Sequence, residues 1–521
     1  MSQAAETIAG ALIRAAKLYG SRPAVMSDAG SMSYDELHRR VLKVGALLTE
    51  QGVMRGDRVA LWLPNSAEFI ELALGAAFIG ASVVALNTRL KGPEAAYILR
   101  KSRPKVFVAI GEFLGVNYGD LLAQENLPEV GARFRVGAGR ADWADWHAAV
   151  SAIGDDKTAE IARIAATIRP DDIAEIMFTS GTTGFPKGAM LRQGQIVRAY
   201  SQWNERLVID ETDRYLIIAP MFHSYGYKAG VLSSILAGAA IYPVATFDVA
   251  DCLRIIEQHR ITVTGGPPTI FISLLAENEK HKRDISSLRS VSSGGSMVPP
   301  SMIRALKQLG VKSILNAYGL TECCALATMT ARDDDLDTVA STSGRAIDGV
   351  EVRCMKLDGT QAAVGEPGEI EVRGFNVMSG YFENEEATRD ALRPDGWLRT
   401  GDVGVLDERG CLRVTDRMKD MFIVGGFNCF PAEIERIMMD CPMVGQVAVI
   451  GIPDERMGEV GKAFIVPKSP GDFSKDKFIA WCRDNMANYK VPRDVEVVDV
   501  LPRNAMGKLQ KFLLRQRVAA G

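Results

Sequence analysis

Three stretches of this chain read as an apolar-faced helix running straight into a short strand rich in β-branched residues, an order that leaves few architectures open. In "PNSAEFIELALGAAF", Asn65 reads as an N-cap with Glu68 three residues on, and apolar residues then recur at helical spacing to about Gly80. "ASVVAL" follows as a strand. "LSSILAGAAIYPV" repeats the order, as does "CLRIIEQHRITVTGG", which ends in a strand expected over Ile261 to Thr264. Helices alternating with strands predict a parallel sheet covered by helices, an α/β fold. The length, 521 residues, exceeds one ordinary core; at about 100–200 residues per domain it allows three or four packed units.

After about Gly344 the pattern changes to short strand-like runs broken by Gly and Asp, such as "GEIEVRG" and "GVLDERGCLRVTD", which predict antiparallel sheet. A boundary is expected near Asp416. Beyond it, "FPAEIERIMMD" places Pro431 at a first helical position and Ile434, Ile437, Met438 and Cys441 on one stripe. "QVAVIGIP" and "KAFIVP" complete a compact tail of about a hundred residues, an ordinary size for a small domain. "ADWADW" (Ala141 to Trp146) and "ARDDDLD" (Ala331 to Asp337) read as surface insertions, the second as a solvated acidic loop.

Charge and cysteine usage narrow the partners. With 61 basic and 64 acidic residues the net charge is −3, so no electrostatic footprint for nucleic acid is present and a small molecule is the expected partner. Eight scattered cysteines form neither a zinc spacing nor a disulfide framework, which points to a reducing, cytoplasmic compartment. The N-terminus lacks the pattern of a signal peptide. The apolar stretch Leu72 to Leu86 is too short and interrupted to span a bilayer, so no stable membrane insertion is expected.

The chemistry-bearing stretch is "TSGTTGFPKG", Thr179 to Gly188, directly after the apolar run Ile173 to Phe178. A strand feeding such a loop suits phosphate: glycine lets backbone N–H groups approach, Ser and Thr add donors, and Lys adds charge. The nucleotide-kinase form is not met, because Pro186 precedes Lys187 and Gly188 follows it.

Together with "NAYGLTE" (Asn316 to Glu322), "GWLRTGD" (Gly396 to Asp402), "DRMKDMFIVGGFNCFPAEIE" (Asp416 to Glu435) and "PRNAMGKLQK" (Pro502 to Lys511), this loop resembles the adenylate-forming superfamily of acyl-CoA synthetases, luciferases and peptide-synthetase adenylation domains. The resemblance runs from about residue 20 to residue 512. It implies a large N-terminal domain of layered α/β sheets with a small β-barrel-like subdomain, residues 1–415, and a small mobile α+β lid, residues 416–521, hinged near Asp416. It also implies ATP, Mg²⁺ and coenzyme A as cofactors and a small carboxylic acid as substrate, with a monomer or a homodimer as the assembly and the homodimer favoured.

By the same resemblance, Thr179, Ser180, Gly181, Thr182, Thr183, Gly184 and Lys187 would hold the β- and γ-phosphates of ATP. Glu322 would help hold Mg²⁺, and Thr321 would donate to the α-phosphate. Gly294, Gly295, Asn316, Ala317 and Tyr318 would surround adenine, Tyr318 as a stacking surface. Asp402 would accept the ribose hydroxyls, with Arg417 on the same sugar, while Lys419 and Asn428 would touch the nucleotide. Lys508 would bring a flexible charge to the α-phosphate and the carboxylate together. In the thioester-forming step the lid would withdraw Lys508 and present "VGGFN", where Gly425 and Gly426 leave room for a pantetheine arm. Ile423 stands where some relatives carry lysine.

"APMFHSYGYKAG" matches the segment lining the acyl pocket in relatives, so His223, Tyr225 and Tyr227 are expected there, with Lys228 as a partner for a polar substrate group. Ser293, Cys323 and Cys324 would add small walls. The combination with "TVTGGPPTIF" and "DMFIVGGFN" looks most like synthetases for bulky ring-bearing acids from steroid or alicyclic breakdown, including the indane-dione propanoate type. Medium-chain and aryl acids compete. Loading of a carrier protein, oxidation of the adenylate as in luciferases, and a nucleotide sensor without turnover are the alternative functions.

Overall fold

The computed structural model describes residues 5–27, 30–179, 186–294, 298–424, 427–469, 471, 473–503 and 509–520. Packing divides the chain into two compact units, residues 1–351 with 372–398 and residues 352–371 with 399–521. The antiparallel strands after Gly344 are thus grouped mainly with the tail. The expected boundary at 415/416 concerns motion about a hinge and belongs with the proposal below.

The first unit contains two large sheets. One runs Lys187–Arg192, Ile173–Thr179, Ser82–Ala85, Arg58–Trp62, Val106–Ile110, Ala132–Val136 and Ala144–Asp145 across its width. All neighbours are parallel except Ile173–Thr179 with Lys187–Arg192, because the connection of residues 180–186 is too short for a crossover. The second sheet has a parallel centre of Ser313–Tyr318, Ser290–Gly294, Val263–Gly266, Arg214–Ile217, Ala240–Pro243 and Pro23–Ser27. The α/β reading therefore holds, and its near-continuous apolar strands reflect burial on both faces.

Local details depart from expectation for physical reasons. The helix Ala67–Phe78 is capped by Ser66, whose side chain accepts from the Phe69 N–H. Asn65 instead ties down the adjoining chain: its amide donates to the carbonyls of Ile217 and Ala219, and its Oδ1 accepts from the Met221 N–H. The strand expected at Ile261 begins at Val263, because Arg260 takes the left-handed conformation (φ 51°) and the Ile261 N–H closes the end of the preceding helix on the Ile256 carbonyl.

Both stretches lie at the surface as expected, and each also serves the fold. In "ADWADW", Trp143 and Trp146 are buried, their rings 5.5 Å from Phe107 and 5.7 Å from Phe134, and Ala144–Asp145 forms the edge strand. In "ARDDDLD", Asp334 takes both guanidinium nitrogens of Arg345 at 3.0 and 2.8 Å, while Asp335 caps the helix Leu336–Ser341.

Most of the four-stranded sheet Val350–Met355, Gly368–Gly374, Leu398–Leu406 and Leu412–Arg417, a half-barrel, belongs to the second unit. A second sheet is built on the long hairpin Val444–Asp454 and Gly458–Pro467. It is covered by Pro431–Met439, with Pro431 in the first turn, and by Lys475–Asn485, around a core that includes Phe422, Ile434, Met438, Ile465 and Phe478. Among the described residues, no helix is long and apolar enough to cross a membrane.

Candidate active site

The hairpin between Ile173–Thr179 and Lys187–Arg192 brings the two ends of the phosphate-type loop face to face, Thr179 opposite Lys187. Ser180, Gly181, Thr182, Thr183 and Gly184 lie outside the described residues. Segment 378–382 runs beside the second strand, the Phe382 N–H donating to the Gly188 carbonyl at 2.7 Å and the Met190 N–H to Gly380 at 3.0 Å. This places Tyr381 over the loop base, with Lys187 Nζ 5.5 Å from the ring centre.

Glu322 is the convergence point. Its Oε1 accepts from the Tyr381 hydroxyl at 2.8 Å and from Thr179 Oγ1 at 3.4 Å. Burial, then the Glu322 charge, pushes the Tyr381 phenol up, so it remains a donor across the ordinary pH range. Glu322 sits in the short helix Thr321–Cys323, which begins with Thr321 and is followed by Cys324 and Ala325 at φ 58° and 60°. Two consecutive left-handed non-glycine residues store strain. The turn is held by neighbours: Asn376 Nδ2 donates to the Leu326 carbonyl at 2.8 Å, Gln195 Nε2 to Asn376 at 2.9 Å, and the Tyr200 hydroxyl to Cys324 at 3.0 Å.

No group of three or more His, Cys, Asp or Glu able to hold a metal occurs among the described residues. A lone carboxylate beside a phosphate-type loop fits Mg²⁺, which keeps most of its shell as water and substrate phosphate.

The strands Ser290–Gly294 and Ser313–Tyr318 pair Ser293 with Asn316 and Gly294 with Ala317. A Cβ at Gly294 would stand 2.7 Å from the Ala317 carbonyl oxygen, so glycine permits this close approach. Asn316 has a structural duty: its amide donates to the Thr342 carbonyl at 2.8 Å. Tyr318 is partly exposed at the strand end. Gly295 lies outside the described residues.

In the acyl-pocket segment, His223 Nδ1 accepts from the Tyr225 N–H at 3.3 Å, which puts the proton of a neutral ring on Nε2. Tyr225 is half-buried, its hydroxyl donating to Ser292 Oγ at 2.7 Å. Tyr227 packs 5.9 Å from Phe69. Ser293 and Cys323 are buried, and the Ser293 hydroxyl donates to the Gly266 carbonyl. Lys228 corrects its expected role: it is wholly buried with Nζ 2.9 Å from Glu175 Oε2, so its charge is already matched inside the protein.

In the second unit, Asp402 and Arg417 are cross-strand partners on Leu398–Leu406 and Leu412–Arg417. Asp402 is buried. Asp416 Oδ2 accepts from the Ala432 N–H at 2.6 Å, fastening the expected hinge residue to the first turn of Pro431–Met439, where the helix dipole favours a carboxylate. Lys508, Gly425 and Gly426 lie outside the described residues, as do the side chains of Arg417, Lys419 and Asn428.

Sequence reading passed over Tyr381, Gln195, Asn376 and Glu175. Glu175 had a visible signal, being the sole charge in the apolar run Ile173 to Phe178. Tyr381 had none, since its partner is 59 residues away.

Comparison with known proteins matches the AMP-binding enzyme family over residues 12–382 and the AMP-binding enzyme C-terminal domain over residues 433–508. The chain is 42% identical to the 3-[(3aS,4S,7aS)-7a-methyl-1,5-dioxo-octahydro-1H-inden-4-yl]propanoyl:CoA ligase of Rhodococcus jostii (strain RHA1), covering 99% of both chains. It is 35% identical to a feruloyl-CoA synthase of Amycolatopsis, covering 97% of this chain and 98% of that one. Among solved structures, the anthranilate CoA ligase AuaEII in complex with anthranoyl-AMP superposes with a TM-score of 0.87 at 28% identity, covering 99% of this chain and 98% of that one.

Proposed function

The chain belongs to the AMP-binding enzymes as an AMP-forming acyl-CoA synthetase using ATP, Mg²⁺ and coenzyme A, and on that premise we propose that it activates a ring-bearing acid derived from steroid or alicyclic breakdown. The ring-bearing part rests on the 42% identity to a ligase named for a fused-ring propanoate. The site part rests above all on one observation: Thr179 and Tyr381 both donate to Glu322 at the base of the loop.

In the proposed chemistry, the acid's carboxylate oxygen attacks the α-phosphorus of ATP and pyrophosphate leaves. Charge accumulates on a crowded phosphorus, and fixed donors and cations are what a protein can supply against it. Thr179, Ser180, Gly181, Thr182, Thr183, Gly184 and Lys187 take the outgoing phosphates. Thr321 donates to the α-phosphate, and Lys508 places its ammonium between that phosphate and the attacking carboxylate. Glu322 would hold Mg²⁺, which when bound would neutralise phosphate charge. Asp402 and Arg417 hold the ribose, and Gly294, Gly295, Ala317 and Tyr318 border adenine. Asn316, Lys419 and Asn428 complete the nucleotide's surroundings.

His223, with Nε2–H outward, orients the acid beside Tyr225 and Tyr227. For thioester formation the lid turns about Asp416 and withdraws Lys508, and Gly425 and Gly426 give pantetheine its passage. The sulfur of CoA then attacks the acyl carbonyl and AMP departs. This turning is gating rather than chemistry.

All eight cysteines are buried, and their scattered spacing supports a cytoplasmic location. A homodimer is part of the reading, and a monomer mass in sedimentation at micromolar protein would remove it. The test of substrate class is CoA-dependent AMP release over a panel of fused-ring, aryl and medium-chain acids. The expected outcome is highest kcat/KM for fused-ring propanoic acids; turnover of aryl or straight-chain acids alone would refute the assignment.

A further inference from the structure

The single charge in the strand Ile173–Thr179 is incompletely satisfied. Glu175 is 3% exposed and Lys228 is fully buried, with Nζ 2.9 Å from Oε2. Yet neither carboxylate oxygen of Glu175 receives an aligned hydrogen bond from a described residue, whereas buried polar atoms are nearly always paired. Lys228 is better served, with two hydrogen bonds of its own besides the ion pair. Its three N–H donors face Glu175, Ser224 Oγ at 2.9 Å and Met177 Sδ at 3.1 Å. The pair carries no net charge, and what it lacks is an aligned donor to the carboxylate, above all at Oε1, the oxygen away from the Lys228 ion pair.

Glu175 also lines a cavity with Phe69, Val83, Ala85, Met221 and Tyr227. Its volume, about 10 Å³, has room for one hydroxyl-sized group. Met221 and Tyr227 come from the segment carrying His223, and Tyr227 lies in the π-helical stretch Tyr225–Leu232, an irregularity common at functional sites.

We infer that this cavity is a subsite of the acyl pocket that takes a ring hydroxyl of the acid, which donates to Glu175 Oε1. The inference rests on the acid-activating reading above and narrows its substrate to hydroxylated ring acids. A ketone oxygen brings no donor and finds none there, because Lys228 is already engaged. A methylene at the same place leaves the buried carboxylate oxygen unmet, and an ammonium upsets a neutral pair.

The test compares fused-ring propanoic acids that differ only in carrying a hydroxyl, a ketone or a methylene at the ring position farthest from the carboxylate. Wild-type enzyme should prefer the hydroxylated acid by about 10–100-fold in kcat/KM, the range for one hydrogen bond to a charged acceptor. In the charge-free double variant Glu175→Leu/Lys228→Met the ratio should fall to about one while thioester formation continues. Equal turnover of the three acids by wild type, the sign of a cavity that holds water only, would overturn the inference. So would a preference that survives the double substitution. If the double variant does not fold, the wild-type ratio decides alone. Absence of thioester from any acid would instead refute the functional reading on which this one stands.

Discussion

Tyr381 and Glu322 show how little chain is needed to define the centre of the site. The Tyr381 hydroxyl orients the carboxylate at 2.8 Å, and a net hydrogen bond of about 0.5–1.5 kcal/mol corresponds to roughly 2–13-fold in rate. Tyr381→Phe should therefore lower adenylation by about that factor and raise the Mg²⁺ concentration at half-maximal pyrophosphate release. Unchanged Mg²⁺ dependence would show that the tyrosine only packs. Glu322→Gln, which keeps shape but removes the charge, should lower adenylation by about 10²–10³-fold. The place of Glu322 beside the base of the phosphate-type loop was legible from its motif. That of Tyr381 was not, because nothing local marks a phenol whose role is set by a distant turn. Lys228 was named but misread: a lone lysine in "YGYKAG" invites a substrate contact until Glu175, in another strand, is seen to claim it.

Among elements, the helices Tyr34–Glu50 and Ala67–Phe78 illustrate both the reach and the limit of pattern reading. Their crossing is close: a Cβ on Gly75 would stand 2.4 Å from Val44 Cγ1. Beside it, Arg40 clasps Glu71 at 2.7 and 3.2 Å. Burial pushes the Glu71 carboxyl above its ordinary 4.5, outweighing the pull of Arg40. A folded-state acid with a raised pKa contributes stability that is complete below its unfolded value and is lost as pH rises through the folded one. Wild-type protein should therefore lose stability relative to Glu71→Gln as pH rises above the ordinary carboxyl value, measured by urea unfolding; a relative gain on raising the pH would show that Arg40 dominates. The helix itself was legible from apolar spacing, and the parallel sheet from helix–strand alternation. The cap on Ser66, the late start of Val263–Gly266 and the burial of Trp143 and Trp146 were not, because each is decided by partners remote in sequence or by residues consumed in closing a helix.

For the whole molecule, the account requires one set of residues to serve two half-reactions. The loop, Glu322 and the nucleotide strands belong to the first compact unit, whereas Asp402, Asp416 and the segment carrying Lys508 belong to the second. The two-part organisation was readable from the change of strand pattern and from the ordered motifs. The grouping of the half-barrel with the tail was not, since it depends on which surfaces pack rather than on local period. The most direct measurement is a pair of single-turnover rates on Lys508→Ala: acyl-adenylate formation from acid and ATP, and transfer of supplied acyl-adenylate to CoA. The account predicts a fall of about 10²–10³ in the first, by analogy with loss of one transition-state donor, and little change in the second. Adenylate formation at the parental rate would contradict it.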